Sequence, residues 1–474
     1  MAAAIRLAKK GYDVVVFEKN KYPGGKLSEF STAGYRFDKG PSLLTMPDLI
    51  DELTVLSGYK TAFNYTRLKT ITHYFFEDGT KVVAKGSAKE LAKELKVKLN
   101  EDEEAVIKHL AKSKFYHSTI ADLFLTQSLG KIKNFLNIKT IKALLQSYKL
   151  NLFSTMHKEN SRPFNNEKTT QIFNRYATYN GSNPYKAPAL LNIIPYLEFG
   201  LGAYLPEKGM HQITEHLYNI ALHCGVTFNF NATVEKIEIE NKKVTGIISN
   251  GALHKSDLVV SDADIHLVYK KLLPQSCYPK KLLAQEKSSS AYVFYWGIEK
   301  EFTELDLHNI LFSENYKAEF DSLFQEKSPY SDPTVYINIT SKFCKADAPS
   351  GCENWFVMVN VPHNKSGNKI DYATELRKNV VAKINRVLKT DIEKYIKVEE
   401  VLDPLGIEQQ TSSFGGSLYG NASNNKFSAF LRHANYNSKI GGLYFVGGSV
   451  HPGGGIPLCL LSAKIVSNLI KDKK

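Results

Sequence analysis

The sequence predicts an α/β fold: a Rossmann-like nucleotide-binding domain intertwined with a second, α+β domain. Three observations predict it. The chain opens as helix, turn, strand and carboxylate within residues 2–18, closes as strand, glycine turn and helix within 442–470, and between them changes more than once from helical to strand-rich patterning. Its 474 residues exceed one ordinary core, so two domains are expected.

The opening segment has helix-forming composition over residues 2–10, a stop at Gly11, and a buried strand, Asp13-Val-Val-Val-Phe-Glu18, that ends in an acid. In a dinucleotide-binding βαβ unit such an acid accepts hydrogen bonds from ribose hydroxyls, and a G-x-G-x-x-G turn opens the helix before it. No such turn precedes residue 2. The chain therefore reads as one begun at an internal Met, by a mis-assigned start or a truncation. An in-frame strand and glycine turn are expected in the DNA upstream, and weak dinucleotide affinity if they are not there. Tyr22-Pro-Gly24-Gly25-Lys26 follows as a glycine turn carrying a cation, and Asp38-Lys-Gly40-Pro41-Ser42 as a second turn of close approach. Taken alone, Glu18 also fits a solvated strand end.

Residues 73–83 read as a hairpin turning at Asp78-Gly79, and residues 100–200 as mostly helical and apolar around the loop Asn180-Gly-Ser-Asn-Pro184. Within 123–156, apolar residues alternate with Lys131, Lys133, Lys139, Lys142 and Lys149. Two readings fit that pattern: helices lying in a membrane interface, or amphipathic helices covering a core. The nucleotide domain resumes with a helix over 212–223, a strand from Gly225, a hairpin of 234–240 and 243–249 across Asn241-Lys242, and a strand over 258–261. Asp262-Ala-Asp264 follows and reads from its residues as a plain helix cap. Segments 291–298, 333–340 and 354–360 are strands rich in Tyr and Phe, suited to a flat apolar wall or to ordinary core.

The closing run, Gly442-Leu-Tyr-Phe-Val-Gly447-Gly448-Ser-Val-His451-Pro452-Gly453-Gly454-Gly455-Ile456-Pro457, removes Cβ from three consecutive positions just before an apolar helix. It aims bare amides and a helix N-terminus at an anionic or electron-rich partner. With the ribose-binding acid, that partner reads as a flavin, FAD.

Apolar content of 43% and charged content of 23% are those of a globular protein. No apolar run reaches the roughly 18 to 20 residues needed to cross a bilayer, and Arg6, Lys9 and Lys10 interrupt any signal-peptide core. Five cysteines without C-x-x-C spacing argue against a disulfide framework or a zinc site and for a reducing cytoplasm. The net charge of +13 is spread along the chain without an RNA or zinc-finger signature, so nucleic acid is not expected as a partner. No nucleophile triad, metal-ligand helix or Walker loop is present, which leaves dehydrogenation.

The segments 17–26, 34–42, 204–210 and 447–457 resemble the carotenoid desaturase family of bacterial phytoene-desaturase type, nearly end to end. The resemblance implies an FAD-binding Rossmann-like domain of amine-oxidase and phytoene-desaturase type (1–80, 200–265 and 405–474) intertwined with an α+β substrate and membrane-associated domain (81–199 and 266–404). It implies FAD contacts at Glu18, Gly24, Gly25, Lys26, Gly40, Pro41, Ser42, Val234, Gly447, Gly448, His451, Pro452, Gly453, Gly455 and Ile456, with Val234 on the adenine and His451 as a further donor. It implies a carotenoid (polyene) substrate taken up at the inner face of the membrane from the cytoplasm. It names no catalytic base, metal or oligomeric state. Within the family, Gly447-Gly448-Ser-Val-His-Pro and the polar run 417–432 are closer to the branch acting on 1-hydroxylated carotenoids at the 3,4 bond than to phytoene desaturases. The polar run could hydrogen-bond a tertiary hydroxyl, or be a solvated loop. Phytoene desaturation is the alternative, and a flavin-free prenyl-binding protein or an inactive remnant is the alternative of another class.

Overall fold

A computed structural model describes residues 1–128, 150–151, 153–365, 372–425 and 432–473. Its largest element is a seven-stranded sheet in the order Ile396–Leu402, Ser290–Ile298, Glu353–Val361, Val335–Ile339, His308–Leu311, Thr70–Phe75 and Lys81–Lys85. All neighbours are antiparallel except His308–Leu311 with Thr70–Phe75. Period-two alternation splits these strands into two faces. One face presents Phe294, Trp296, Ile337, Trp355 and Val357, which bury Leu376, Val380 and Ile384 of the helix Ala373–Leu388. Registers Asn338 with Phe356, Phe356 with Tyr295, His308 with Asn338, and Ile310 with both Tyr336 and Tyr74 put those residues on the opposite face.

The hairpin expected at Asp78-Gly79 forms, with Gly79 at φ +83°, and it extends the edge of this sheet. The division drawn at residue 80 therefore falls inside one hairpin. The strands expected at 291–298, 333–340 and 354–360 are the sheet's centre, as the density of Tyr, Phe, Val and Ile there dictates.

The elements expected to bind the nucleotide form smaller sheets. Val15–Phe17 pairs in parallel with Thr227–Asn229, and Val259–Ser261 in parallel with Leu443–Phe445. Val234–Glu240, Lys243–Ser249 and Ala252–Lys255 make an antiparallel sheet. Its first turn is the two-residue Asn241-Lys242, both with positive φ (48° and 60°), the mirror-type geometry that matches strand twist. Helices Ala2–Ala8, Asp48–Ser57 and Ile456–Leu469 are tied by one carboxylate: Glu52 accepts from Arg6 and from Lys464, each at 2.8 Å. Leu7, Val446, Val466 and Ile470 share a buried cluster, and Lys473 N donates to Lys10 O at 3.0 Å, so the two ends of the chain meet.

The two long helices before residue 200 are conventionally capped: Ser87 and Asp102 accept from Glu90 N and Glu104 N at the starts of Ala88–Leu99 and Glu103–Ile120. Of the lysine-rich stretch 123–156, positions 129–149 and 152 lie outside the described residues. Among the described residues no helix is long and apolar enough to cross a membrane.

Candidate functional site

The site is built where the first and last segments of the chain converge. Glu18 ends the strand Val15–Phe17, held by its own N–H to Asn229 O (2.9 Å), while its carboxylate accepts from Asn20 N (2.8 Å). Burial raises its pKa, and the neighbouring Asp262 carboxylate adds to the rise. Val234 is half-buried and packs against the same cluster as Phe17, the residue before Glu18. Of the acidic pair after residue 261, Asp264 is a helix cap, accepting from His266 N at 2.9 Å.

Gly24, at φ +106°, has no room for a side chain, since a Cβ there would lie 2.5 Å from Leu27 O and 2.7 Å from the Thr214 side chain. Gly25, at φ +57°, has nothing within 4 Å of its absent Cβ. Lys26 follows as a half-buried cation, donating to Leu418 O at 2.8 Å and Ser417 O at 3.5 Å. Burial lowers its pKa, and Asp264 and Cys459 oppose that. The Cys459 thiol, on the closing helix, is pushed up to about 11, mainly by burial. Lys26 thus clasps the first glycine turn to the C-terminal part of the chain.

One helix and the large sheet hold the second turn. Asp38 accepts from Arg36 (2.8 Å) and from the backbone N–H groups of Met210 and His211 (2.9 Å each), fixing the segment before Gly40 to the start of helix Gln212–His223. Gly40, at φ +115°, lies over the Phe356 ring, and Gly40-Pro41 is cis. Ser42 Oγ meets Tyr336 Oη at 2.6 Å on the sheet face opposite the helix Ala373–Leu388.

In the closing turn, Gly448 packs against Gly454, where a Cβ would lie 3.2 Å from its Cα, and a Cβ on Gly454 would lie 2.5 Å from the Tyr419 ring. Gly453, at φ +142°, faces the Arg432 guanidinium, and Gly447, at φ +94°, faces Asp262 O. Arg432 is buried and donates to Tyr419 O (3.1 Å), Gly448 O (3.3 Å) and Asn421 O (3.1 Å). Burial brings its pKa down to about 10. Gly455, at φ +108°, begins the helix Ile456–Leu469 with no side-chain cap, and nothing lies within 4 Å of its absent Cβ. Open space over Gly25 and Gly455, beside the uncapped amides of Ile456 and Leu458, fits a flat, electron-rich ring system. These residues fit a flavin.

His451, joined to Pro452 by a cis peptide, donates Nε2–H to Gln127 O at 2.9 Å. Burial pulls its pKa down to about 4, so the ring is neutral and its buried, unpartnered Nδ1 is an acceptor. The expected extra donor is already engaged. The polar run after 417 is likewise occupied. Asn421 pairs with Lys287 (2.7 Å) and Gln285 (2.8 Å), Asn424 with Asn183 N (2.7 Å) and Glu286 (2.8 Å), and Ser423 N with Ser182 (2.8 Å). Residues 426–431 lie outside the described residues.

Asp38 and Arg432 are the organising residues that sequence reasoning missed. Asp38 stood inside a quoted motif, and Arg432 is a lone cation two residues beyond Ala429-Phe430, but neither pattern names its backbone partners.

A model of the family described as flavin containing amine oxidoreductase matches residues 1–471. The chain is 52% identical over 473 residues to a 1-hydroxycarotenoid 3,4-desaturase from a Flavobacterium species, covering 100% of this chain and 97% of that one. It is 31% identical to a 4,4'-diapolycopene oxygenase from a Methylomonas species, covering 99% and 95%. Among solved structures, cyclohexylamine oxidase from Brevibacterium oxydans superposes with a TM-score of 0.62 at 13% identity, covering 99% of this chain and 95% of that chain. An oxidoreductase from Methanosarcina mazei gives 0.60 at 15%, covering 98% and 97%.

Proposed function

We propose, from the premise that this chain belongs to the flavin containing amine oxidoreductase family, that it introduces the 3,4 double bond into a 1-hydroxylated carotenoid. It is an FAD-dependent oxidoreductase, a carotenoid desaturase. The observation that carries the choice of substrate is the 52% identity, over the whole chain, to a protein named for that reaction.

Accepting a hydride from the polyene is the chemistry FAD supplies when bound. The chain's own residues do the rest. Glu18 offers a carboxylate to ribose hydroxyls, and Gly25 and Gly455 leave the space a flat ring requires. Uncapped amides at the start of Ile456–Leu469 stabilise negative charge without reorganising. Arg432 and Lys26 hold backbone carbonyls of the surrounding loops, so the turn keeps its shape. Tyr336 and Phe356, on one face of the large sheet, offer an aromatic wall for a flat apolar chain. Uptake at a membrane surface is part of the proposal, supported by the net charge of +13.

Incubating the FAD-loaded protein with a 1-hydroxylated polyene and with phytoene tests this reading. A longer-wavelength product spectrum from the hydroxylated substrate is expected. New double bonds in phytoene but none in the hydroxylated polyene would overturn it.

A further inference from the structure

We infer that His308 reads the substrate's hydroxyl, donating a hydrogen bond from Nε2–H to the oxygen on C1. This inference rests on the proposed 3,4-desaturation of a 1-hydroxylated carotenoid and assigns its specificity to one side chain.

The argument begins with an oriented chain of hydrogen bonds. Asn338 Nδ2, which can only donate, gives to Leu307 O at 2.9 Å and to His308 Nδ1 at 3.2 Å. His308 Nδ1 is therefore an acceptor. Tyr336 Oη lies 2.7 Å from that same nitrogen and 2.6 Å from Ser42 Oγ. With Nδ1 accepting, its one lone pair is shared by Asn338 and the nearer donor Tyr336, and Ser42 donates to Tyr336 in turn. Burial brings the pKa of His308 down to about 3, with the nearby Arg175 adding to the fall, so the imidazole carries one proton. That proton is on Nε2, which is buried and has no partner. An orphaned buried N–H is costly unless a ligand completes it.

Placement makes the ligand a substrate hydroxyl. His308, Tyr336 and Tyr74 share the sheet face turned away from the helix Ala373–Leu388. The relay starts at Ser42, in the turn assigned to the flavin. In a 1-hydroxylated carotenoid, the oxygen on C1 is three or four bonds of about 1.5 Å from the C3–C4 bond being oxidised, hence within about 5 Å of it. A group that reads this oxygen must stand beside the flavin turn, and His308 is two hydrogen bonds from it. The asparagines of the run after 417 cannot take this role, because Asn421 and Asn424 are paired within the protein. Ser417 Oγ is also buried and unpartnered, and it serves as the internal comparison.

The test compares a 1-hydroxylated polyene with its unhydroxylated counterpart on the FAD-loaded wild type, H308F, H308Q and S417A. Wild type should favour the hydroxylated substrate by roughly 10- to 100-fold in kcat/KM, the size set by an unpaired buried donor. His308→Phe should erase that preference mainly through KM, His308→Gln should recover part of it, and Ser417→Ala should leave it intact. Tryptophan-fluorescence quenching by the two polyenes gives the same ranking without turnover and covers a variant that binds but does not react. A wild-type preference that survives in both His308 variants, or that disappears in S417A, overturns this inference alone. A wild type that does not favour the hydroxylated polyene overturns the proposed function and this inference with it.

Discussion

At the scale of single residues, the two neighbouring glycines of the closing turn separate flavin binding from packing. A Cβ on Gly455 meets no protein atom within 4 Å, whereas one on Gly454 lies 2.5 Å from the Tyr419 ring. Gly455→Ala should therefore cost only about 1 to 3 kcal/mol of backbone strain at φ +108°, yet lower the flavin-to-protein ratio after purification by an order of magnitude or more. Gly454→Ala should cost about 1 to 3 kcal/mol through overpacking, read by urea denaturation of the apo form. Equal flavin retention in Gly455→Ala and wild type would show that the open space is not the ring's. Both glycines were visible in the sequence, because a run of three is itself a signal. Which of them faces protein and which faces open space was not, since the Tyr419 ring is 35 positions away.

At the scale of elements, the helix Ala373–Leu388 is locked onto the seven-stranded sheet by one lysine. Lys383 has no exposed side-chain surface and binds Glu77, Asp332 (2.6 Å) and Phe312 O (3.0 Å), with Arg386 on the same two carboxylates. Hydrogen bonds from Arg386 lead the causes that bring the Glu77 pKa down to about 2. A carboxylate with a depressed folded-state pKa contributes stability that is complete above its unfolded value, near 4.5, and is lost as pH falls through about 2. Acid unfolding should thus steepen between those values, and Glu77→Gln should flatten that limb while lowering stability at pH 7. An unchanged acid limb in the variant would remove Glu77 from the account. The elements themselves were legible: the strand pattern over 291–298, 333–340 and 354–360, the helix over 212–223 and the Asn241-Lys242 turn all follow from local periodicity and turn chemistry. Strand partners were not, because the parallel pairing of His308–Leu311 with Thr70–Phe75 joins segments more than two hundred residues apart.

At the scale of the whole molecule, a net charge of +13 and a greasy substrate predict binding to anionic lipid. Sedimentation with anionic vesicles should be strong at about 0.01 M salt and weak at about 1 M, as the Debye length shrinks from ~30 to ~3 Å. Binding that ignores both salt and lipid charge would leave the positive charge without that role. What the sequence by itself determined is local: the acid closing the first strand, the glycine turns at both ends, the aromatic strands and the family they resemble, because period, φ preference and Cβ removal are written in consecutive residues. Only the tertiary structure decided which polar groups are satisfied. It paired the asparagines of the run after 417, engaged His451 with Gln127 and left the Nε2–H of His308 without a partner. The physical reason is that a buried hydrogen bond is made or missed by groups hundreds of positions apart, and no local pattern records which ones meet.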